Sequence, residues 1–282
     1  MESHAQATED YLIEGLSFKL APGASYVTNR RSVSFYPQGG NSYAPNGVKV
    51  IRLALTGEGW LDPSTIRFMM DLNNITTNSN VGEEKELRPV GGPWSFFRRM
   101  RLMAGGTVIE DIDNYARTHQ MFHTLVSPAK RQNDTIEGFG VEGDILRCRG
   151  AHPDGFPIQT PLSYRGIPKG RAMTVLFKPL SGLFSQQKYI PLRYCPLILE
   201  FEIVNDANDP VIASKVATPA GAGDFAISNS SNEWMISQVQ LKCDLVTLDN
   251  GLENAYTAHV TKGLSLPINY DTCISQMQTI AD

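Results

Sequence analysis

Two histidines, His119 and His123, lie four positions apart and close to a run of acidic residues. On a helix, this spacing puts both imidazoles on one face, where they could bind a zinc ion with a carboxylate as the third ligand. The carboxylates nearby in the sequence are Glu110, Asp111 and Asp113. No Glu follows the first histidine as it does in the H-E-x-x-H zinc motif, and His119 falls on the apolar stripe of its predicted helix. The pattern therefore favours histidines that pack the helix against the rest of the protein.

Two other motifs match functional patterns only in their letters. Residues 138–143 read Gly-Phe-Gly-Val-Glu-Gly, the G-x-G-x-x-G of a dinucleotide-binding turn. That turn needs a buried strand before it and a helix after it, whereas polar residues precede this one. Ser127 and Lys130 match an S-x-x-K pair, but Pro128 would break the helix that holds such a pair. We therefore assign no catalytic, cofactor-binding or metal-ligating residue, and we expect no cofactor.

The charge balance argues against a protein that coats nucleic acid. The chain has 25 Lys+Arg against 29 Asp+Glu, a net charge of −4, so no direct sequence-specific contact with nucleic acid is expected. Three arginines, Arg98, Arg99 and Arg101, lie on a predicted strand. Strand alternation puts Arg99 and Arg101 on one face and Arg98 on the other, so they predict a solvated or interface face rather than one basic patch.

Composition also bears on the compartment. No stretch approaches the roughly 20 apolar residues of a membrane span, so membrane insertion is not expected. The opening residues MESHAQATED lack the basic and apolar regions of a signal peptide, which favours an intracellular setting. The cysteines are far apart and form no C-x-x-C pair, which predicts buried thiols rather than a disulfide or a zinc site. They are Cys148, Cys195, Cys243 and Cys273.

The elements that must position these residues are mostly strands. Alternation of apolar and polar residues with period two predicts about eight of them. They are 49–56, 66–72, 97–104, 107–109, 144–149, 173–177, 197–203 and 239–245. Gly105-Gly106 joins two of these strands as a hairpin turn, and Asp62-Pro63-Ser64 is predicted to be a turn that precedes another strand.

Helices and long loops complete the predicted organisation. One helix is predicted with Asp113 as its N-cap and Pro128 after its end, and a second helix over 252–263. The apolar face of the first helix would comprise Tyr115, His119, Phe122 and Val126. Long loops are predicted at 73–86, 130–164 and 205–232. The pattern as a whole is typical of an all-β jelly-roll sandwich of about eight antiparallel strands with one inserted helix.

Four stretches carry more information than their periodicity. They are SYVTNRRSVSFYPQGGN at 25–41, GWLDPSTIRF at 59–68, the hairpin and helix at 97–122, and DLVTLDNGLENAY at 244–256. Together they resemble the first jelly roll of a double jelly-roll major capsid protein of the polinton-like and large eukaryotic DNA virus lineage. The resemblance covers about residues 25–270 and contains no catalytic string.

The resemblance implies a structural protein that assembles as trimers of pseudo-hexagonal outline in an icosahedral shell. Its partners would be copies of itself, neighbouring capsomers, and penton or minor capsid proteins. Its place would be the virion, assembled inside the host cell. The implied organisation is an N-terminal arm at 1–24, a first jelly roll at 25–250, and at 251–282 a connector and the beginning of a second, incomplete jelly roll. The chain would then be a fragment of a longer reading frame or a degenerate copy, and the fragment is favoured.

Two functions of other classes are also consistent with a jelly roll. A cellular carbohydrate- or ligand-binding module would need exposed Trp and Tyr side chains on one face or loop cluster. Trp60, Trp94 and Trp234 are instead scattered beside apolar runs, which predicts that they pack in the core. A metal hydrolase would use His119 and His123, and bound zinc in the purified protein would support it.

Overall fold

The computed structural model describes residues 27–77, 87, 89–127, 167–211 and 231–275. The predicted strand at 144–149, the glycine motif at 138–143, Lys130 and Cys148 lie outside these residues. The strands are β1 (Val27–Phe35), β2 (Ser42–Tyr43), β3 (Val50–Leu55), β4 (Trp60–Asn74), β5 (Phe97–Ala104), β6 (Thr107–Ile112), β7 (Ala172–Phe177), β8 (Ile190–Pro191), β9 (Leu197–Ile203) and β10 (Trp234–Leu248). The helices are the 3-10 helix η1 (Pro93–Phe96), then α1 (Tyr115–Leu125), α2 (Gly182–Ser185) and α3 (Asn250–Thr261).

Eight of the described strands are longer than two residues, and they form two antiparallel sheets. Sheet A has the order β1-β10-β4-β7, and sheet B has the order β3-β9-β5-β6. Along the chain, the first long strand pairs with the eighth, the second with the seventh, the third with the sixth and the fourth with the fifth. One ribbon of four strand pairs is thus rolled into a sandwich, which is a jelly roll. The predicted fold class is confirmed.

Local turn chemistry explains where the strands bend. Gly105 and Gly106 have φ of 56° and 85° and join β5 to β6, which confirms the predicted hairpin. The turn predicted at Asp62-Pro63-Ser64 does not precede a strand, because it begins a bulge inside β4 in which residues 63–66 lie opposite Cys243 of β10. Asp62 Oδ1 accepts hydrogen bonds from the backbone N and the Oγ of Ser64, at 3.0 and 2.6 Å. On both sides of the bulge, β4 is paired with β10.

Aromatic side chains join the two sheets at the centre of the sandwich. Phe68 of sheet A has its ring centroid 5.5 Å from that of Phe97 and 4.9 Å from that of Phe201, both in sheet B. Phe177 of sheet A lies 5.4 Å from Phe68. All four rings are at most 1% exposed, so sheet packing rests on apolar burial and tilted or edge-to-face ring contacts.

Helix α1 differs from its prediction in two ways. Asn114, not Asp113, is the N-cap, with φ of 50° and no capping hydrogen bond from its side chain. Asn adopts the left-handed conformation more readily than most residues, which places the turn one residue later. The predicted apolar face is also partly wrong. Tyr115 is buried, but Phe122 is 39% exposed, because the helix rests on η1 through its histidines.

The chain after β10 packs on the end of the sandwich. Asp249 caps α3 by accepting a hydrogen bond from Gly251 N at 3.0 Å, so the predicted second helix begins earlier than expected. Trp60 Nε1 donates to Glu253 Oε2 at 2.8 Å. Residues 262–275 continue without a strand. The N-terminal arm at 1–24 and a second jelly roll beginning within 251–282 therefore stay predictions. None of the helices in the described ranges is long and apolar enough to cross a bilayer.

Candidate functional site

The two histidines of α1 lie against the indole of Trp94, which η1 supplies. The ring centroids of His119 and His123 are 4.2 and 4.7 Å from that of Trp94. Trp94 Nε1 donates to Gln120 Oε1 at 2.9 Å, which links the same two elements. Burial, together with the nearby His123, lowers the pKa of His119 to about 3. The pair thus packs the helix on the sandwich, as the sequence predicts.

Two of the three carboxylates that could have completed a zinc site have other partners. Glu110 is 2% exposed and accepts from Ser181 Oγ, Gly182 N and Leu183 N at 3.0, 3.1 and 2.7 Å. Burial raises the pKa of Glu110, against the lowering effect of these hydrogen bonds. Asp111 forms a two-point ion pair with Arg99 at 2.7 and 2.5 Å. Across the described part of the chain, no three His, Cys, Asp or Glu side chains are grouped to hold a metal ion.

The arginine group lies on the outer face of sheet B, and one part of its prediction is wrong. A register shift between Phe97 and Arg99 puts two residues of β5 opposite one residue of β9. This bulge turns Arg98 toward Glu202, at 3.5 Å, so it does not take the opposite face. Arg101 pairs with Glu200 at 3.1 Å. The arginines are thus engaged in cross-strand ion pairs within this sheet rather than presented together as a basic patch.

Aromatic and thiol side chains follow the predicted packing. Trp60, Trp94 and Trp234 are 7%, 1% and 1% exposed, which counts against a sheet face that stacks sugars. Of the described cysteines, Cys243 is buried and Cys195 and Cys273 are half-buried, all as free thiols. Burial raises the pKa of Cys243 to about 12, with the nearby Asp244 adding to the effect, so this thiol is protonated and unreactive.

An exposed apolar face remains on the outer side of α1, and the periodicity argument did not identify it. Met121, Phe122 and Leu125 are 57%, 39% and 76% exposed. Residues separated by three or four positions on a helix are neighbours, so these side chains form one patch. Beside them is an open groove of about 660 Å³. Its lining includes Phe97, Met121 and Val204 as apolar residues and Arg98, Gln120 and Asp209 as polar ones. We call Met121, Phe122 and Leu125 the α1 patch.

Described residues next to the three predicted long loops pair with one another, and two of these segments, at Val90 and Asp209, line this groove. Isolated bridges pair Leu87 with Ile167 and Pro89 with Val211. Val90, which lines the groove, donates its backbone N–H to Pro210 O at 2.8 Å. Sequence separation hides this convergence, because the paired residues lie 80 or more positions apart. The structure therefore brings the loop bases, the groove and the α1 patch to one region of the jelly roll.

No protein-family model and no curated protein matches this chain. It is similar to the crystal structure of PBCV-1 VP54 fitted into a reconstruction of the virophage Sputnik, at 14% identity and TM-score 0.44, over 85% of this chain and 47% of that one. It is also similar to the structure of the Sputnik virophage, at 11% identity and TM-score 0.48, over 84% of this chain and 52% of that one.

A third similar structure is the Faustovirus major capsid protein, at 10% identity and TM-score 0.36, over 88% of this chain and 59% of that one. The chain therefore spans about half the length of the solved structures it matches.

Proposed function

We propose that this chain is the first jelly roll of a double jelly-roll major capsid subunit, and that it acts by self-assembly rather than catalysis. The subunits form trimeric, pseudo-hexameric capsomers of an icosahedral DNA-virus shell. Residues 1–24 are its arm, 25–250 its first jelly roll, and 251–282 a connector and the beginning of the second. Neighbouring capsomers and penton or minor proteins are its further partners, in the virion and during assembly inside the host cell.

The placement of the resembling stretches supports this proposal. They contribute β1, the start of β4, the β5-β6 hairpin with α1, and the end of β10 with α3. Three of these strands, β1, β10 and β4, are neighbours in sheet A. The stretches that are similar to a capsid jelly roll are thus parts of one folded unit.

The observation that carries the proposal is the α1 patch beside the groove. Exposed apolar surface of this kind marks a contact with another protein more often than it serves the fold. The ionisable side chains that could suggest chemistry instead are packed on Trp94, buried as Glu110 is, or paired as Arg99 and Asp111 are. A second copy of the chain is the partner that an assembly protein requires.

Light scattering on the recombinant chain with its natural continuation, the proposed double jelly-roll subunit, tests the proposal. We expect a concentration-dependent species of three times the subunit mass at neutral pH. Leu125→Glu should raise the dissociation constant about tenfold or more, because an interface leucine contributes about 1.5–3 kcal/mol of burial. The matched control is Val108→Glu, on the β6 strand and 46% exposed, which should leave assembly unchanged. A wild-type subunit that stays monomeric at all concentrations would contradict the proposal.

A further inference from the structure

Helix α1 is attached to the sandwich by few buried groups. Tyr115 is its one buried residue, and its hydroxyl accepts a hydrogen bond from Leu180 N at 2.8 Å. His119, Gln120 and His123 contact Trp94, His119 also contacts Phe177, and Tyr115 contacts Phe201. Ionisable imidazoles are therefore part of the attachment of the helix whose outer side carries the α1 patch.

One of these imidazoles has no partner for a second proton. The Nδ1 atom of His119 is buried and makes no hydrogen bond. Its ring contacts are Trp94 from η1, Phe177 from β7, and Tyr115 on α1. His123, also on α1, adds repulsion to any charge that His119 takes up. A buried cation without an acceptor is costly, so the protonated ring is incompatible with this position.

The charged groups near the start of α1 do not offset that cost. Asp111 is held by Arg99 in a two-point ion pair. Asp113 lies 4.0 Å from Arg98, and Glu110 accepts three hydrogen bonds from residues 181–183. Within the described residues, none of these carboxylates contacts the ring of His119. Stacking on the indole of Trp94 would favour a cation, but it supplies no hydrogen-bond acceptor at Nδ1.

We infer that protonation of His119 separates α1 from Trp94 and so disrupts the α1 patch, through which copies of the chain associate. This inference rests on the proposed function for its effect on assembly, whereas the release of the helix can be measured in the isolated chain. The proton is the ligand that His119 binds, and the consequence is the loss of the contact between copies of the chain.

The direction and size of the effect follow from linkage. The pKa of His119 is about 3 when the helix is docked and 6.5 when the ring is free, so docking is favoured above pH 6.5 and is lost as the pH falls. From these two values, the docking equilibrium should weaken about 25-fold between pH 7 and pH 5.

Hydrogen exchange of the α1 amides tests the release directly. In the wild-type chain, protection of residues 115–125 should fall about 25-fold from pH 7 to pH 5 after correction for intrinsic rates. His119→Phe keeps an aromatic ring without the titration and should lose less than about threefold. The matched control is His259→Phe on α3, which should behave as wild type. Unchanged wild-type protection, or an equal loss in His119→Phe, would overturn the inference.

Two further measurements separate this inference from the proposed function. Nuclear magnetic resonance of labelled histidine in the wild-type chain should show a His119 midpoint well below 6.5, and an ordinary midpoint would overturn the inference without any variant. Light scattering at pH 5 should show dissociation of the wild-type oligomer but not of His119→Phe. A chain that is monomeric at both pH values, yet shows the exchange pattern above, would refute the proposed function and support the release of α1.

Discussion

Replacing Glu110 by glutamine should expose how much of the fold depends on one buried carboxylate. Glu110 lies on the edge strand β6 and holds α2 by accepting three hydrogen bonds. Its Oε1 accepts from Ser181 Oγ and Leu183 N, and its Oε2 accepts from Gly182 N. Glutamine has the same shape but one acceptor oxygen only. Its amide nitrogen would therefore face either the N–H of Gly182 or the two donors of Ser181 and Leu183.

The magnitude follows from the number of donors left without a partner. In Glu110→Gln, the better orientation keeps Ser181 and Leu183 bonded and leaves the Gly182 N–H unpaired. A buried unpaired donor costs about 1–3 kcal/mol. Glu110→Ala removes the acceptor for all three donors and should cost about 3–5 kcal/mol, since relaxation and water entry recover part of the sum.

Urea unfolding at neutral pH measures both variants. The matched control is Asp111→Asn, the next residue on β6, whose partly exposed ion pair with Arg99 should contribute less than about 1 kcal/mol. The expected order of lost stability is Glu110→Ala, then Glu110→Gln, then Asp111→Asn. A Glu110→Gln protein within about 0.5 kcal/mol of wild type would refute the reasoning that these three bonds need a carboxylate.

The pH dependence of the stability should show the effect of the charge of Glu110 as distinct from the effect of its hydrogen bonds. Its folded pKa is raised above 4.5, mainly by burial, so the folded state binds the proton more tightly than the unfolded state. The contribution of this group to stability therefore increases as the pH falls through the raised folded value toward 4.5. Glu110→Gln lacks this increase. The stability difference between wild type and variant should thus change with pH in this window, and a constant difference would contradict the raised pKa.

Three further substitutions test the packing. Trp60→Phe removes the indole donor to Glu253 Oε2 and should cost about 1 kcal/mol in urea unfolding, with faster hydrogen exchange confined to α3. Gly182→Ala would put a Cβ onto the carbonyl oxygen of Asp271, so residues 267–275 must shift, and limited proteolysis there should accelerate. Phe68→Ala should cost about 3–5 kcal/mol in urea unfolding, because its ring contacts both sheets.

Alternation predicts seven of the eight long strands but not β1, whose residues are mostly exposed, and it predicts none of the strand partners. Alternation along 197–203 and 173–177 predicts β9 and β7 because one face of each strand is buried, and periodicity reports burial. It does not report which strand lies alongside. The pairing of β1 with β10 joins residues about 210 positions apart, and only the three-dimensional structure shows the rolled ribbon.

The parts of the site that sequence reasoning missed have a common physical cause. Arg98 was assigned to the wrong face because a one-residue bulge, which depends on the pairing with β9, reverses the alternation after Phe97. Phe122 was assigned to the buried face because apolar residues usually mark it. The helix instead packs its histidines on Trp94, whose indole offers an aromatic surface to both rings. In both cases, the direction of the side chain depends on a residue from an element that is distant in the sequence.

Two features of α1 lower the stability of the isolated chain, and together they argue that this helix contacts another copy of the chain. The outer side of the helix leaves Met121, Phe122 and Leu125 in water, and its inner side buries a His119 nitrogen without a partner. A helix selected for stability alone would reverse both choices, with polar residues outside and apolar ones inside. Covering the outer side by a second copy removes the first cost. The second cost is small at neutral pH and grows as the pH falls, so under the proposed function it would weaken the contact between copies rather than the fold.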